Sequence, residues 1–391
     1  MFNNEIKLSF LAGVQVKNDI YFSTWNMNGL FKYNPQTEIC DFLRVFAEEG
    51  KYGLHSQAIL YNDTIWFIPS ASERISIVDI NTLDITYLDL PQSGYRIDGE
   101  PLQTLRIKGC YRTGEKYLWL VPHMYKLFIK VDMERREIVK FEQWIDDGNA
   151  GSNGIKIKDK LVVYRHDLAE ICIIDDNLGT IVTRILANKK VIYKGIEAIG
   201  DWIYFFPLWL KDGILLLNRN MNAVKYIQLE DDKQMYDECQ IYTENGDILL
   251  VPYIGNKCIR IGVENEKCLV RECKVLDVAQ NAFCSKKLIY NDEAWFLPHV
   301  SEKPIICYKK QEDEINYRYI TISKKKFIEN VVQSILKYGN EYSSLNFGKI
   351  INEQDMPLKL FLQFGKELGC REGFIKKKNV GVSIYKTIES N

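Results

Sequence analysis

The chain has 391 residues, of which 51 are basic and 52 are acidic, so its formal net charge is −1. This balance gives no electrostatic reason to expect nucleic acid or an anionic membrane surface as a partner, and it favours a small molecule, a peptide or a protein. No stretch approaches the ~20 consecutive apolar residues of a membrane-spanning helix. The ten cysteines accompany no recognisable secretory signal, so we expect reduced thiols and a cytoplasmic protein.

A unit of four short strands recurs along the chain. Residues 62–88 (NDTIWFIPSASERISIVDINTLDITYL) contain three strands with period-two patterning, and the residues just before them supply a fourth. Copies are spaced by 44, 53, 43, 42, 46 and 45 residues, and they begin at Asp19, Asp63, Lys116, Asp159, Asp201, Asp247 and Asp292. An insertion around 95–101 accounts for the long interval. This period predicts an all-β fold, a closed seven-bladed β-propeller of four-stranded antiparallel blades.

The repeats also carry a resemblance. Five of the seven copies end their first hydrophobic strand with proline, and most open on Asp or Asn. On these residues the chain resembles the seven-bladed propeller superfold over roughly residues 9–323, and its units are similar to divergent kelch, quinoprotein-like and lactonase-like repeats. The WD dipeptide of WD40 blades and the paired glycines of kelch blades are absent, so the resemblance implies a fold and no particular activity.

The period changes after residue 323. We therefore divide the chain into a propeller, 1–323, and a helical C-terminal appendage, 324–391. Phe327, Ile328 and Val331 begin a pattern of apolar residues at helical spacing, and 358–368 shows a second helical pattern between Pro357 and Gly369. The appendage is interpreted either as a cap on the outer edge or face of the propeller or as a docking surface for another protein. Residues 1–8 either extend blade 7 or pack elsewhere.

All four histidines map to one face of the predicted propeller. Because successive strands alternate in direction, the ends of the second strands share a face with the starts of the first strands; we call this the histidine face. His123, His166 and His299 follow the second strands of blades 3, 4 and 7, and His55 begins the first strand of blade 2. We predict an axial ligand-binding pocket on this face, bordered by Trp25, His55, His123, His166, Trp209, Tyr253 and His299. Glu238 in blade 6 is assigned the same entry position as His55.

Three interpretations of the histidines remain open. The imidazoles of His55, His123, His166 and His299 could bind a divalent metal, because neutral imidazole suits zinc, copper, iron and nickel. The wide separation of blades 4 and 7 across the ring counts against a single metal centre, since ligand distances near 2 Å tolerate little spread. The other two interpretations are a metal-free binding pocket and ordinary polar loop residues.

Arg165, His166 and Asp167 form the clearest departure from the repeat, because blade 4 replaces the proline with arginine. Local rule-breaking is more frequent at functional sites. In a catalytic interpretation, Arg165 clamps a carboxylate or phosphate, His166 acts as general acid or base, and Asp167 orients it. The alternative is a surface ion pair between Arg165 and Asp167.

Two functions therefore stay open. The preferred one is a cytoplasmic binding or interaction module whose histidine face holds a small molecule, peptide or protein. The alternative is a metal-assisted propeller enzyme, a lyase, isomerase or hydrolase, that uses the same face. A catalytic assignment needs a base with an oriented partner, and the sequence offers only the Arg165, His166 and Asp167 group locally.

Overall fold

The structure is a computed structural model and describes residues 5–25, 27–47, 53–91, 107–123, 125–143, 154–166, 168–177, 180–187, 190–228, 235–242, 247–255, 257–264, 267–275, 284–298 and 303–338. The predicted insertion at 95–101 and the second helical pattern at 358–368 lie outside these residues.

The described strands form seven four-stranded antiparallel sheets, each built from four consecutive strands in chain order. The first strand of the chain, β1 (Glu5–Lys7), lies outside these sheets. Sheet 1 comprises β2 (Phe10–Val16), β3 (Asp19–Thr24), β4 (Gly29–Asn34) and β5 (Ile39–Val45). Sheet 2 comprises β6 (His55–Tyr61), β7 (Thr64–Pro69), β8 (Arg74–Asp79) and β9 (Ile85–Asp89). Sheet 3 comprises β10 (Ile107–Thr113), β11 (Tyr117–Pro122), β12 (Leu127–Asp132) and β13 (Glu137–Gln143).

The remaining sheets repeat this arrangement. Sheet 4 comprises β14 (Gly154–Ile157), β15 (Lys160–Arg165), β16 (Glu170–Asp175) and β17 (Ile181–Leu186). Sheet 5 comprises β18 (Tyr193–Ile199), β19 (Trp202–Pro207), β20 (Ile214–Asn218) and β21 (Val224–Ile227). Sheet 6 comprises β22 (Met235–Tyr242), β23 (Ile248–Ile254), β24 (Lys257–Glu264) and β25 (Lys267–Val275). Sheet 7 comprises β26 (Cys284–Tyr290), β27 (Glu293–Pro298), β28 (Ile305–Lys309) and β29 (Glu314–Arg318).

The core lies between the sheets. Because side chains alternate between the two faces of a strand, Ile65 and Phe67 pack toward sheet 1, whereas Trp66 and Ile68 pack toward sheet 3. Seven clusters of buried apolar residues result among the described residues. Six of them join consecutive sheets, and the seventh joins sheet 7 to sheet 1. Burial on both faces explains the near-continuous apolar runs of the inner strands.

The predicted all-β propeller of four-stranded antiparallel blades followed by a C-terminal helix is confirmed. The predicted number of seven blades is not confirmed. Seven four-stranded sheets are present, but only six of them are recognised as propeller blades. The closed ring of seven blades therefore stays a prediction.

A polar residue at the end of the third strand shapes the next hairpin in five sheets. Its side-chain oxygen accepts hydrogen bonds from backbone N–H groups two to five residues later; the residues are Asn34, Asp79, Asp132, Asp175 and Asn218. The first four accept from residues two or three positions later, which is the Asx-turn pattern and a repeat signal that the sequence analysis did not use. Asn218 accepts instead from residues four and five positions later. On the face opposite the histidine face, the chain reverses in tight two-residue turns at Asn62, Asp159, Asp201 and Asn291.

The two ends of the described chain meet. Strand β1 pairs antiparallel with β30 (Thr321–Ser323) and with no other described strand, so residues 5–7 do not extend sheet 7. The helix α1 (Lys324–Tyr338) follows at once and packs on β5, the outer strand of sheet 1. The Phe327 ring is stacked with that of Phe31 at 6.3 Å and meets that of Phe42 edge-on at 5.4 Å. Ser334 Oγ donates a 2.6 Å hydrogen bond to the carbonyl of Leu43.

The helix predicted from Phe327 onward is confirmed, although it already begins three residues earlier, at Lys324. None of the helices within the described ranges has the length and hydropathy of a membrane span. Five cysteines within the described ranges are free thiols, namely Cys40, Cys110, Cys172, Cys258 and Cys307.

Candidate functional site

The histidine face is defined by the starts of the first strands and the ends of the second strands. Strand pairing places these two positions at the same edge of a sheet. In sheets 2, 3, 5 and 7 the first residue of the first strand pairs with the proline that ends the second strand. In sheet 6 the residue opposite Pro252 is Tyr236, not Glu238. Glu238 therefore lies inside β22, and its assignment to the entry position of His55 is wrong.

His123 and His166 come together between sheets 3 and 4. Their ring centroids are 6.3 Å apart and the rings are tilted by 48°. The alternation of the strand explains the position of His123, which lies two residues after Val121, a member of the cluster between these two sheets. His166 lies three residues after Val163 of the same cluster, beyond the end of β15 at Arg165, so the alternation does not account for its direction. Two of the four predicted metal or ligand residues are thus close neighbours.

Arg165 ends β15 and is buried, with 5% of its surface exposed. Its Nη1 atom lies 4.0 Å from Oε2 of Glu170, which begins the adjacent strand β16 and is also buried. Glu170 in turn accepts hydrogen bonds of 3.0 and 3.1 Å from Nη1 of Arg184. These contacts hold the pKa of Arg184 above its usual value. Two guanidinium groups therefore share one carboxylate beside His166.

The alternative of a surface ion pair is wrong about the exposure of Arg165, which is buried and lies near Glu170. Asp167 lies outside the described residues, so its pairing with Arg165 stays a prediction. The sequence analysis missed Glu170 and Arg184. The signal for Glu170 was available, since an acidic residue opens a third strand directly opposite the arginine that ends the second.

His55 is a core residue, which corrects its assignment to the rim of a ligand pocket. It has no solvent exposure, and its ring centroid lies 4.4 Å from that of Phe46 and 5.1 Å from that of Phe67. Its Nε2 atom is 3.1 Å from Ser76 Oγ. Burial lowers the pKa of His55 to about 3, so the ring is neutral near pH 7.

A recurring β-bulge explains this burial. The register shifts directly after His55, as it does after the first residue of the first strand in sheets 1, 3 and 5. Those three residues, Phe10, Ile107 and Tyr193, are all buried. A bulge redirects the side chain of the residue that it displaces. His55 therefore occupies a core position of the repeat and not a position in an axial pocket.

The remaining predicted ligand-binding residues are Trp25, Trp209, Glu238, Tyr253 and His299. Trp25 is 39% exposed and its ring covers Gly53, which has a φ of +57° and leaves no room there for a Cβ atom. Trp209 precedes a 3₁₀ turn (Leu210–Asp212), and Lys211 Nζ lies 5.8 Å from its ring centroid. The side chains of Glu238 and Tyr253 and all of His299 lie outside the described residues, so the predicted pocket around the axis stays a prediction.

A group of three or more His, Cys, Asp or Glu side chains arranged for a metal is not found in the described part of the chain. His55 lies between Phe46 and Phe67 with Nε2 near Ser76 Oγ, so it belongs to no such group. His123 and His166 supply two imidazoles, and Arg165, the residue before His166, shares Glu170 with Arg184.

Neither a known protein-family profile nor a curated protein matches the chain. Solved structures share its fold. A catalytically inactive histidine-to-alanine variant of virginiamycin B lyase from Staphylococcus aureus, solved with quinupristin, has a TM-score of 0.58 at 13% identity, covering 76% of this chain and 94% of that one. A mitotic checkpoint complex has a TM-score of 0.54 at 9% identity, covering 79% and 86%. BamB from Moraxella catarrhalis has a TM-score of 0.51 at 9% identity, covering 73% and 82%. These similarities show the propeller fold alone.

Proposed function

We propose that this chain is a cytoplasmic ligand-binding propeller whose site lies between sheets 3 and 4 on the histidine face. The observation that carries the proposal is the approach of His123 and His166, 6.3 Å apart, next to the buried Arg165. Polar groups converging from two neighbouring sheets are typical of small-molecule sites. The ligand is a small molecule or a polar group of a peptide or protein.

We also propose that the seven sheets form one closed ring. The first strands of successive sheets contact one another, and the first strand of sheet 7 contacts that of sheet 1. The apolar cluster that joins sheets 7 and 1 supports the same closure. An experimental structure with six sheets around the axis, or with a gap between any two sheets, would contradict this proposal.

Binding is tested by a thermal-shift screen of metabolites and short peptides. The wild type is compared with a His123→Ala, His166→Ala double variant, and Arg135→Ala serves as a control because Arg135 is a 69% exposed side chain on a remote turn. At least one compound should stabilise the wild type and the control in a saturable manner and fail to stabilise the double variant. Compounds that stabilise all three proteins equally would place the site elsewhere.

The second candidate is a propeller enzyme, and the paired histidines favour it specifically. One imidazole can accept a proton while its neighbour donates one, and the virginiamycin B lyase that shares this fold was solved as an inactive histidine-to-alanine variant. Elemental analysis of protein purified without chelator is the first test, since stoichiometric metal supports a metal-assisted reaction. Conversion of quinupristin by the wild type but not by His166→Ala would support a lyase.

A further inference from the structure

We propose that a water molecule is bound inside the protein between sheets 1 and 2, where it joins the hydroxyl of Ser23 to the imidazole of His55. This site is separate from the ligand site between sheets 3 and 4, and neither proposal depends on the other. Three observations carry it: two buried polar atoms without a protein partner, the direction of their side chains, and the larger residues at the same place in other sheets.

Two polar atoms are buried here without a hydrogen bond to the protein. Ser23 has 1% of its surface exposed and His55 has none. Neither Ser23 Oγ nor His55 Nδ1 has a hydrogen-bond partner among the described residues, although Nε2 of the same imidazole lies 3.1 Å from Ser76 Oγ. An unsatisfied buried polar atom opposes folding, and ordered water is a common partner for such atoms.

Both side chains point into the interface between sheets 1 and 2. Ser23 is paired with Ala12 and with Leu30, which belong to the apolar cluster that joins these sheets. Residues directly opposite each other in antiparallel strands share one face of the sheet, so Ser23 points the same way. His55 reaches this interface from sheet 2, since its ring centroid lies 4.4 Å from that of Phe46, another member of the cluster.

A backbone hydrogen bond brings the two positions close together. The N–H of Gly53 donates to the carbonyl of Trp25 over 3.0 Å. Ser23 lies two residues before Trp25, and His55 lies two residues after Gly53. Because an extended residue spans at most about 3.6 Å, the Cα atoms of Ser23 and His55 each lie within about 7 Å of the Cα atom of the nearer residue of this pair. This proximity supports one water molecule as the partner that the two atoms share.

The repeat explains how space for a water molecule arises. Ser23 directly precedes the last residue of its strand, and in sheets 2, 3, 5 and 7 the residue at this position is large, apolar and buried; these residues are Ile68, Val121, Phe206 and Leu297. Serine in their place leaves volume at the interface, and a water molecule occupies about 30 Å³. His55 in turn stands where sheets 1 and 3 have the buried apolar residues Phe10 and Ile107. The small polar residue and the imidazole therefore meet at one interface.

A thermodynamic cycle tests the bridging water. The variants are Ser23→Ala, His55→Phe and the two combined, and urea unfolding gives the equilibrium constant of each protein. His55→Phe introduces the residue type that Phe10 supplies at the same place in sheet 1. Ser334→Ala is the matched control, because Ser334 is a buried serine whose hydroxyl donates directly to the carbonyl of Leu43. It is combined with His55→Phe in the same way.

We expect Ser23→Ala to raise the unfolding equilibrium constant of the wild type about fivefold, because the water loses one of its two partners. In the His55→Phe background the same change should not destabilise the protein, because the bridge is already broken. Ser334→Ala should have the same effect in both backgrounds. A stabilising effect of Ser23→Ala in the wild type, as for a hydroxyl that has no partner at all, or equal effects of Ser23→Ala in both backgrounds, would overturn the inference.

A high-resolution crystal structure of the wild type separates a bridging water from direct contact between the two side chains, which would give the same coupling in the cycle. We expect one ordered water within about 3.2 Å of both Ser23 Oγ and His55 Nδ1. A direct hydrogen bond between these two atoms, with no water between them, would overturn the inference.

Discussion

His55 lies between Phe46 and Phe67 without solvent exposure, whereas the rings of His123 and His166 lie 6.3 Å apart between sheets 3 and 4. The repeat register correctly put all three at the same edge of their sheets. It could not predict which of them is buried, because the β-bulge after His55 turns that side chain into the core. Comparison with Phe10 and Ile107, the apolar residues at the same place in sheets 1 and 3, would have indicated a core position.

The buried neutral imidazole of His55 makes stability depend on pH. Its pKa is about 3 in the folded protein and 6.5 in the reference state, so the unfolded chain binds a proton that the native protein does not. Stability from this residue is therefore complete above pH 6.5 and is lost as the pH falls toward 3. Between pH 7 and pH 4.5 we expect the wild type to lose about 2.5 kcal/mol more than His55→Phe, which cannot titrate.

Urea unfolding of both proteins at the two pH values measures this difference. The carboxylates that titrate in the same range are common to both proteins, so their effect cancels. An identical pH dependence in the wild type and His55→Phe would show that folding does not lower the pKa of His55. The description of His55 as a core residue would then be wrong.

At the scale of single elements, the polar residue at the end of the third strand supports the hairpin that follows. Backbone N–H groups of Asn81 and Thr82 each donate a 2.9 Å hydrogen bond to Asp79 Oδ1. The hydrogen bond from Thr82 N–H is the largest cause that holds the pKa of Asp79 below its usual value, and the bond from Asn81 acts in the same direction. This Asx turn could not be predicted from the sequence, because the prediction requires knowing which residue ends each strand.

We expect Asp79→Ala to lower the free energy of unfolding by about 1 kcal/mol, because both hydrogen bonds are lost. Asp79→Asn should be close to neutral at pH 7, since Asn34 forms the same turn in sheet 1. The lowered pKa means that the contribution of Asp79 is present above pH 3.8 and declines as the pH falls below it. Thermal unfolding at pH 7 and pH 3 tests both variants, and a destabilised Asp79→Asn at pH 7 would contradict the explanation.

At the scale of the whole molecule, the sequence period predicted the succession of four-stranded units because each unit is local in the chain. The pairing of β1 with β30 could not be predicted in the same way, since the two strands come from opposite ends of the propeller and each is only three residues long. Ile6 and Ile322, which pair in this ladder, are both buried in the cluster between sheets 7 and 1. The two short strands therefore pair the beginning of the described propeller with its end.

Replacing Ile6 with alanine should lower the free energy of unfolding by about 2 to 5 kcal/mol, as expected for a buried isoleucine. Ile39→Ala is the control, because Ile39 is 47% exposed and its loss should change stability by at most about 0.5 kcal/mol. Denaturant unfolding measures both values. If the two variants are equally stable, the pairing of β1 with β30 contributes nothing to closure.

The site between sheets 3 and 4 is tested most directly by nuclear magnetic resonance of protein labelled with ¹³C at its histidines. The chain has only four histidines, so His55→Phe, His123→Ala and His166→Ala assign the ring signals one by one. On addition of a compound that stabilises the wild type but not the His123→Ala, His166→Ala double variant, the signals of His123 and His166 should shift together along one saturating curve, while that of the buried His55 stays unchanged. Shifts without saturation, or a response at His55 with none at His123 and His166, would contradict a ligand site between sheets 3 and 4.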